Sequence, residues 1–431
     1  MPEASVARRH VAVVGGGWAG LAAAVEAAAR GHRGTRFEMA PQLGGRARRV
    51  VVDGLALDNG QHILIGAYTR TLALLRRVGV DVESALRRSP LTLVGPAVAG
   101  LRLPAGAPRL AFARAALAHP RWSGADRLAL LATVTAWEAC GFRCREDHTV
   151  ERLCRRLTPA VRRDLLEPLC VAALNTPASQ ASGGVFLRVL RDALFGPRGS
   201  SDLLLPRQDL GALLPDPAAA WLRQRGADLR LSQRVERIRP NGSGWQVDDE
   251  PFDAVVLATP PGEAARLVRE LAPDWAAAAQ ALRYQPIVTV YVRAAGARLP
   301  EPMLALAGDD AEAPAQFVFD LGILRGHAGV LAFVASGAER WVERGVEATE
   351  QAVLRQARRE LGTLLGPMPK LLRTLVEKRA TFACTPALRR PPASIAPGIA
   401  AAGDHVAGPY PATLEGAVRS GIGAIDRLDR R

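Results

Sequence analysis

The sequence predicts an α/β fold in which a parallel sheet is assembled from both ends of the chain. An apolar run at 11–14 is bounded by glycines and followed by an alanine-rich helical stretch. A second strand, turn and helix pattern occupies 399–428. Between them, 109–170 is mainly helical, and strands in antiparallel style from residue 286 surround one helix at 347–365. We therefore expect a Rossmann-like unit interleaved with an α+β unit and a helical insertion.

The first turn has the spacing G-x-G-x-x-G at Gly15, Gly17 and Gly20. The first glycine permits a tight turn, the second lets backbone approach a diphosphate, and the third lets the helix pack on the strand. Glu38 follows at the end of the second strand, where a carboxylate accepts hydrogen bonds from an adenosine ribose and repels the 2′-phosphate of NADP. A glycine-rich turn without a ligand is the alternative. The predicted nucleotide contacts are Gly15, Gly17, Trp18, Ala19, Gly20, Glu38 and Met39.

Two further motifs indicate which dinucleotide cofactor the chain binds. Gly44-Gly45-Arg46 comes six residues after Glu38, and Gly403-Asp404 follows the last strand, ahead of a helix that begins at 414. A helix N-terminus there would stabilise an anionic reduced flavin. Together these motifs resemble the FAD-dependent amine oxidase and carotenoid desaturase superfamily. The resemblance implies FAD, with contacts from Gly44, Gly45, Arg46, Val235 (by its backbone, to adenine), Gly403, Asp404, Thr413, Glu415, Gly416 and Ala417.

The segment 58–62, DNGQH, places polar residues around a glycine just before a predicted helix at 63–78. Such a backbone suits a flat ligand, and we expect Gly60, Gln61 and His62 beside the flavin ring. His62 is then a donor of a hydrogen bond or a proton. The alternative is a surface or capping histidine. Farther on, 90–103 alternates like a strand.

Five segments narrow the resemblance to the hydroxysqualene dehydroxylase family. They are residues 58–62, 168–177, 190–194, 202–210 and 410–421. The resemblance implies the reduction of hydroxysqualene by reduced FAD to squalene and water. Loss of an allylic hydroxyl requires an acid, an apolar tunnel and an electron-rich flavin. His62 is the first candidate acid, and Tyr410 and Asp209 are weaker ones.

Two other functions stay open at this point. A carotenoid or other isoprenoid desaturase would share the fold, FAD and a lipid substrate but would run in the opposite redox direction. A flavin-free scaffold or chaperone for membrane prenyl synthases belongs to another class. The presence of bound flavin separates the second from the enzymes.

The amino-acid composition indicates which classes of binding partner the chain is suited to. The chain has 431 residues, is 48% hydrophobic and carries a net charge of +14, but 54 of its 56 basic residues are arginine. No nucleic-acid module is visible and aromatic residues are only 5%, so we expect no nucleic-acid binding. The five cysteines form no C-x-x-C pair, which favours free thiols over a disulfide framework or a metal site.

The segment 109–170 has eleven arginines against seven carboxylates. It is either a solvated helical face or a basic amphipathic surface that rests on an anionic bilayer. We expect no signal peptide, because the apolar run at 11–14 is predicted to be the first strand, and no apolar run has membrane-spanning length. We therefore expect a cytoplasmic protein, peripheral to the inner face of the membrane, in contact with upstream squalene-pathway synthases.

The predicted organisation has five parts. The FAD-binding unit is split into three, with a mainly helical substrate and membrane-facing region and an antiparallel-sheet substrate domain between them. The parts are 1–80, 201–265 and 396–431 for the FAD-binding unit, 81–200 for the helical region and 266–395 for the sheet domain.

Overall fold

The computed structural model describes residues 8–309, 311–366 and 369–430. A six-stranded sheet forms the first layer, with five parallel strands and one antiparallel edge strand. Its apolar central strands are buried on both faces, as parallel strands covered by helices are. In spatial order the strands are Asp228–Arg230, Arg33–Phe37, His10–Val14, Ala254–Leu257, Ile399–Ala401 and Ser394–Ala396. The predicted parallel sheet from both ends of the chain is confirmed.

Helices cover one face of this sheet, and the closest pair comes from the two ends of the chain. Trp18–Ala29 packs on Leu414–Asp429, where a Cβ on Gly421 would lie 2.2 Å from the carbonyl oxygen of Ala19. The helices Thr69–Arg77 and Pro215–Arg223 complete this layer. The other face packs on the helices Pro261–Val268 and Pro273–Gln280 and on the strands Ile238–Asn241, Gly244–Val247 and Glu250–Phe252.

A five-stranded antiparallel sheet forms the second unit. Its side chains alternate between two apolar layers, one against the helix Val346–Leu361 and one against the helical insertion. In spatial order its strands are Met303–Ala305, Phe317–Asp320, Val330–Ala335, Tyr284–Arg293 and Lys370–Phe382. The strands predicted after residue 286 all fall in this sheet. The short helices Leu321–Arg325 and Glu339–Arg344 and the 3-10 turn Gly362–Leu365 connect its elements.

The helical insertion packs on the face of the antiparallel sheet that lies toward the first layer. A π-helical turn, Arg162–Leu166, leads directly into the helix Glu167–Leu174, whose end reaches the region between the two sheets. The other helices are Pro108–Leu117, Gly124–Ala139, Val150–Leu153, Pro159–Val161 and Gly183–Leu194. The helical prediction for 109–170 is confirmed.

Two boundaries differ from the sequence prediction. The helix predicted at 63–78 begins only at Thr69, because Leu64–Ile65 pairs with the strand Leu203–Pro206. Residues 90–103 form a hairpin rather than one strand, Thr92–Val94 with Ala99–Arg102. The remaining elements are the strands Arg49–Val52, Leu55–Asp58 and Leu86–Ser89 and the helices Val82–Ala85 and Leu210–Leu213.

The five cysteines are free thiols. Across the described ranges, no helix has both the length and the apolar character needed to cross a bilayer.

Candidate functional site: a cavity between the two sheets

A cavity of about 780 Å³ lies at the carboxyl ends of the parallel strands, a common place for ligands in open α/β sheets. Residues one or two positions after the ends of four of these strands line it: Gly15, Glu38, Ala258 and Gly403. The cavity continues toward the antiparallel sheet, where its wall becomes apolar. The apolar side chains in that wall are Val171, Leu174, Ile287, Phe317, Phe319, Val334 and Leu375, and Thr289, Ser336 and Glu377 line the same side.

The glycine turn has the geometry that its spacing predicts. Gly15 has φ +113°, and a Cβ there would lie 2.4 Å from the carbonyl oxygen of Ala258. A Cβ on Gly20 would lie 2.0 Å from the carbonyl oxygen of Gly15, so Gly20 serves helix packing and does not line the cavity. Gly17 faces open space: a Cβ at this position would have the Cα of Gly45 as its nearest neighbour, at 3.9 Å. The following helix has no side-chain cap, which leaves its first N–H groups available for an anion.

Glu38 lies beside this turn with its carboxylate already held by backbone. Its Oε2 accepts a hydrogen bond from the N–H of Gly16 at 2.5 Å, and its Oε1 accepts one from Ala40 at 2.8 Å. Both Glu38 and the exposed Met39 line the cavity. The carboxylate is therefore fixed next to the glycines, in the position that a ribose-binding acid occupies.

Arg46 closes the cavity by joining the two ends of the chain. Its guanidinium donates to Asp404 Oδ1 at 2.5 Å and to the carbonyl oxygen of Ala380 at 2.7 Å. Burial alone would raise the pKa of Asp404, but the charge and hydrogen bond of Arg46, together with the neighbouring His405 and a backbone hydrogen bond, lower it. Gly44 donates to the carbonyl oxygen of Gly16 at 2.9 Å, which fixes this segment on the glycine turn. Gly44, Gly45, Arg46, Gly403 and Asp404 all line the cavity.

The start of the last helix is only partly in the cavity. Thr413 and Ala417 line it, and Thr413 Oγ1 caps the helix by accepting from the N–H of Gly416 at 2.9 Å. Glu415 is fully buried and points away, where its Oε2 accepts from the N–H and the hydroxyl of Thr71 at 2.9 and 2.7 Å. Gly416 also lies outside the lining, because a Cβ there would lie 1.8 Å from the carbonyl oxygen of Tyr410. Glu415 and Gly416 therefore build the turn rather than face a ligand, contrary to the sequence prediction.

The loop 58–62 brings Gly60, Gln61 and His62 to the cavity. His62 Nδ1 lies 3.0 Å from the carbonyl oxygen of Gly60, which can only accept, so Nδ1 carries the proton. Burial lowers the pKa of His62, and the charges of Arg46 and Arg325 lower it further, against the opposing effect of this hydrogen bond. The residue is half-buried and lines the cavity.

The two weaker acid candidates lie elsewhere. Asp209 caps the helix Leu210–Leu213 by accepting from Ala212 at 3.0 Å, and it forms an ion pair with Arg49 at 2.7 Å. Tyr410 does not line the cavity, and the guanidinium of Arg419 lies 4.9 Å from the centre of its ring. The structure thus corrects the sequence prediction: neither side chain is placed to protonate a ligand in the cavity.

Val235 lines the cavity, but its carbonyl oxygen accepts from Arg266 at 2.7 Å, which leaves other backbone atoms for a ligand. Asn175, a polar residue in the apolar run 168–177, also lines the cavity. This residue ends a helix in the left-handed conformation, φ 48°, and its amide donates to Thr381 Oγ1 at 2.9 Å and to the carbonyl oxygen of Gln285 at 3.2 Å. An Asn directly after an apolar helical run is typical of such a helix end.

The site and the sequence both match known families. The family described as flavin containing amine oxidoreductase matches residues 18–428. The hydroxysqualene dehydroxylases of Rhodopseudomonas palustris and Sinorhizobium fredii are 30% and 28% identical, each over 97% of this chain and 98% of their own length. The zeta-carotene desaturase of Zea mays matches only 23% of the chain. An oxidoreductase from Methanosarcina mazei has the same fold, with a TM-score of 0.72 at 15% identity over 97% of this chain and 100% of its own.

The chain therefore belongs to the flavin-containing amine oxidoreductase family. Within it, the chain groups with the hydroxysqualene dehydroxylases, which match it from end to end. It is an FAD-dependent oxidoreductase. The glycine turn with its open Gly17, the fixed Glu38 and the uncapped helix N-terminus fit the nucleotide part of FAD.

Proposed function

We propose that this enzyme reduces hydroxysqualene to squalene with loss of water. The observation that carries the proposal is the continuity of one cavity, which runs from the nucleotide-type turn past a histidine loop to an apolar sheet wall. A long isoprenoid alcohol needs such an arrangement, because its chains bury apolar area while its single hydroxyl needs polar partners. The end-to-end relatives that carry this name support the same reaction.

We further propose which residues hold FAD. The candidates are the predicted residues that line the cavity: Gly15, Gly17, Trp18, Ala19, Glu38, Met39, Gly44, Gly45, Arg46, Gly60, Gln61, His62, Val235, Gly403, Asp404, Thr413 and Ala417. Reduced FAD supplies the hydride that replaces the hydroxyl. The protein must then hold the alcohol, exclude water and deliver one proton to the leaving oxygen.

His62 is the proposed proton donor. With Nδ1–H held by the carbonyl oxygen of Gly60, a second proton on Nε2 is the one that can be passed to a ligand. The lowered pKa makes the imidazolium a stronger acid but keeps its population small at neutral pH. The proposed step therefore uses a minor, strongly acidic form of His62.

A product assay tests the function directly. The purified, FAD-loaded protein is incubated with hydroxysqualene under anaerobic conditions with a reductant, and in parallel with oxidised FAD. We expect squalene only with reduced FAD. A separate incubation with phytoene and an electron acceptor tests for desaturase activity. Desaturated products there, with no squalene from hydroxysqualene, would show that the protein is a desaturase instead. Absence of a flavin spectrum after reconstitution would instead favour a scaffold.

We also propose that the helical insertion contacts an anionic membrane. Leu110, Arg114 and Leu117 share one face of the helix Pro108–Leu117, and the two leucines are 60% and 54% exposed. Leu128, on the next helix, is 69% exposed. Exposed leucines beside arginines suit the interface of an anionic bilayer, and the same insertion supplies part of the cavity wall. Contact with pathway synthases remains a prediction.

Vesicle binding tests this surface. The Leu110→Ser/Leu128→Ser variant should bind vesicles that contain phosphatidylglycerol less tightly than the wild-type protein does. As a matched control, Val51→Ser changes another exposed apolar side chain, 66% exposed, outside the insertion. Equal binding of all three proteins would reject the membrane proposal.

A further inference from the structure

The phenol of Tyr291 connects the antiparallel sheet to the loop 58–62. Tyr291 is fully buried, on the same face of its strand as Ile287 and Thr289, both of which line the cavity. Its hydroxyl donates to the carbonyl oxygen of Asp58 at 2.8 Å. The side-chain amide of Gln61 lies 2.9 Å from the same hydroxyl oxygen. One buried residue thus contacts both the backbone and a side chain of the loop.

These contacts determine which way the Gln61 amide faces. A carbonyl oxygen can only accept, so Tyr291 must use its single hydroxyl proton on Asp58. The hydroxyl oxygen can then only accept from Gln61, and the atom that donates is Nε2. Among the described residues, Gln61 Oε1 has no hydrogen-bond partner, and the half-buried Gln61 side chain lines the cavity. With Nε2 engaged, Oε1 is the amide atom left free to accept a hydrogen bond from a ligand.

We propose that Tyr291 is a positioning residue for substrate recognition. It holds Gln61 so that Oε1 accepts a hydrogen bond from the hydroxyl of the isoprenoid alcohol. The inference rests on the proposed function for the identity of that alcohol. The hydrocarbon product has no such proton and would leave Oε1 unpaired in an enclosed site, which is unfavourable. The same contact therefore favours the alcohol over the product.

Binding to the oxidised, FAD-loaded protein measures this preference without turnover. Hydroxysqualene and squalene, each in detergent micelles, are titrated while changes in the flavin spectrum are followed. For Tyr291→Phe, we expect the Kd of the alcohol to rise roughly three- to tenfold, the range for one neutral hydrogen bond, with little change for squalene. Tyr284→Phe is the matched control. Tyr284 lies in the same strand, and its hydroxyl has no hydrogen-bond partner within the described residues.

A double-mutant cycle separates positioning from packing. Gln61→Leu removes the acceptor and should lower the alcohol preference by itself. If Tyr291 acts through Gln61, adding Tyr291→Phe to Gln61→Leu changes the preference no further. A second, equal loss in that background would show that Tyr291 acts through the general packing of the loop, and would overturn the inference. The ratio of FAD to protein in each variant checks that the cofactor site is intact.

The outcomes also separate this inference from the proposed function. A wild-type protein that prefers the alcohol but forms no squalene rejects the proposed reaction and leaves the role of Tyr291 standing. A wild-type protein that forms squalene but binds alcohol and hydrocarbon equally rejects the role of Tyr291 alone. A protein with neither property rejects both.

Discussion

The two halves of the cavity are built from different parts of the polypeptide. The half at the parallel sheet is mostly backbone: a positive-φ turn at Gly15, an open face at Gly17 and a bare helix N-terminus. The half at the antiparallel sheet is side chains, such as Phe317, Phe319 and Val334 from two adjacent strands. A phosphate is recognised by N–H groups in one geometry, whereas an isoprenoid chain needs only apolar surface of the right shape.

This difference explains where substrate specificity has to lie. Backbone atoms bind any FAD in the same way, so they carry no information about the alcohol. The loop 58–62 lies where the halves meet, and it holds the polar side chains Gln61 and His62. Substitutions at the junction of the two halves should have the largest effect on turnover.

His62→Gln should lower the rate of squalene formation by at least about a hundredfold, the usual contribution of a general acid. FAD content should change little, because glutamine keeps the backbone of the loop 58–62 and the glycine turn is untouched. Rapid-mixing measurements of flavin reoxidation by hydroxysqualene report the rate. His327→Gln, whose ring contacts the carbonyl oxygen of Ala56 outside the cavity, is the control. Full turnover in His62→Gln would reject the acid role, and loss of FAD would place His62 in the nucleotide half.

The pH dependence gives an independent test of the same residue. The acid form exists below the pKa of His62, which burial and nearby arginines hold below its ordinary value of 6.5. The rate should therefore be highest in acid and fall about tenfold per pH unit above that pKa. His62→Gln should lack this decrease. A wild-type rate that stays constant across the usual histidine range, roughly pH 5 to 8, would contradict the assignment of His62 as the acid.

The sequence predicted the backbone half far better than the side-chain half. Glycines at fixed spacing report a conformation that few other residues adopt, so Gly15, Gly17 and Gly20 could be interpreted from the chain alone. Glu415 was predicted to contact FAD because it lies at a helix start. The sequence cannot show that its carboxylate turns toward Thr71 instead. The role of Tyr291 depends on a loop more than 200 residues away in the chain, a contact that no local pattern encodes.

Gly20→Ala should disrupt the backbone half through packing. The new Cβ would lie 2.0 Å from the carbonyl oxygen of Gly15, so helix and strand must move apart, at a cost of about 1–3 kcal/mol in unfolding free energy. FAD content should fall with stability. Gly34→Ala is the matched control, since it lies in the neighbouring strand with no atom within 4 Å of its added Cβ. Chemical denaturation of both apoproteins measures the difference, and equal stability would contradict the packing role.

Val334→Phe should weaken substrate binding in the side-chain half of the cavity without affecting FAD, and its effect should be the smallest of those predicted. Val334 lines the cavity beside Phe317, so a larger side chain there narrows the space for the isoprenoid chain while the glycine turn is unchanged. We expect a several-fold rise in KM for hydroxysqualene with normal FAD content and a similar kcat. Val376→Phe makes the same change on the opposite face of the sheet, where Val376 packs toward the helix Val346–Leu361. If both variants raise KM equally, the effect comes from distortion of the sheet. If Val334→Phe loses FAD, the two halves are not independent and the division between them fails.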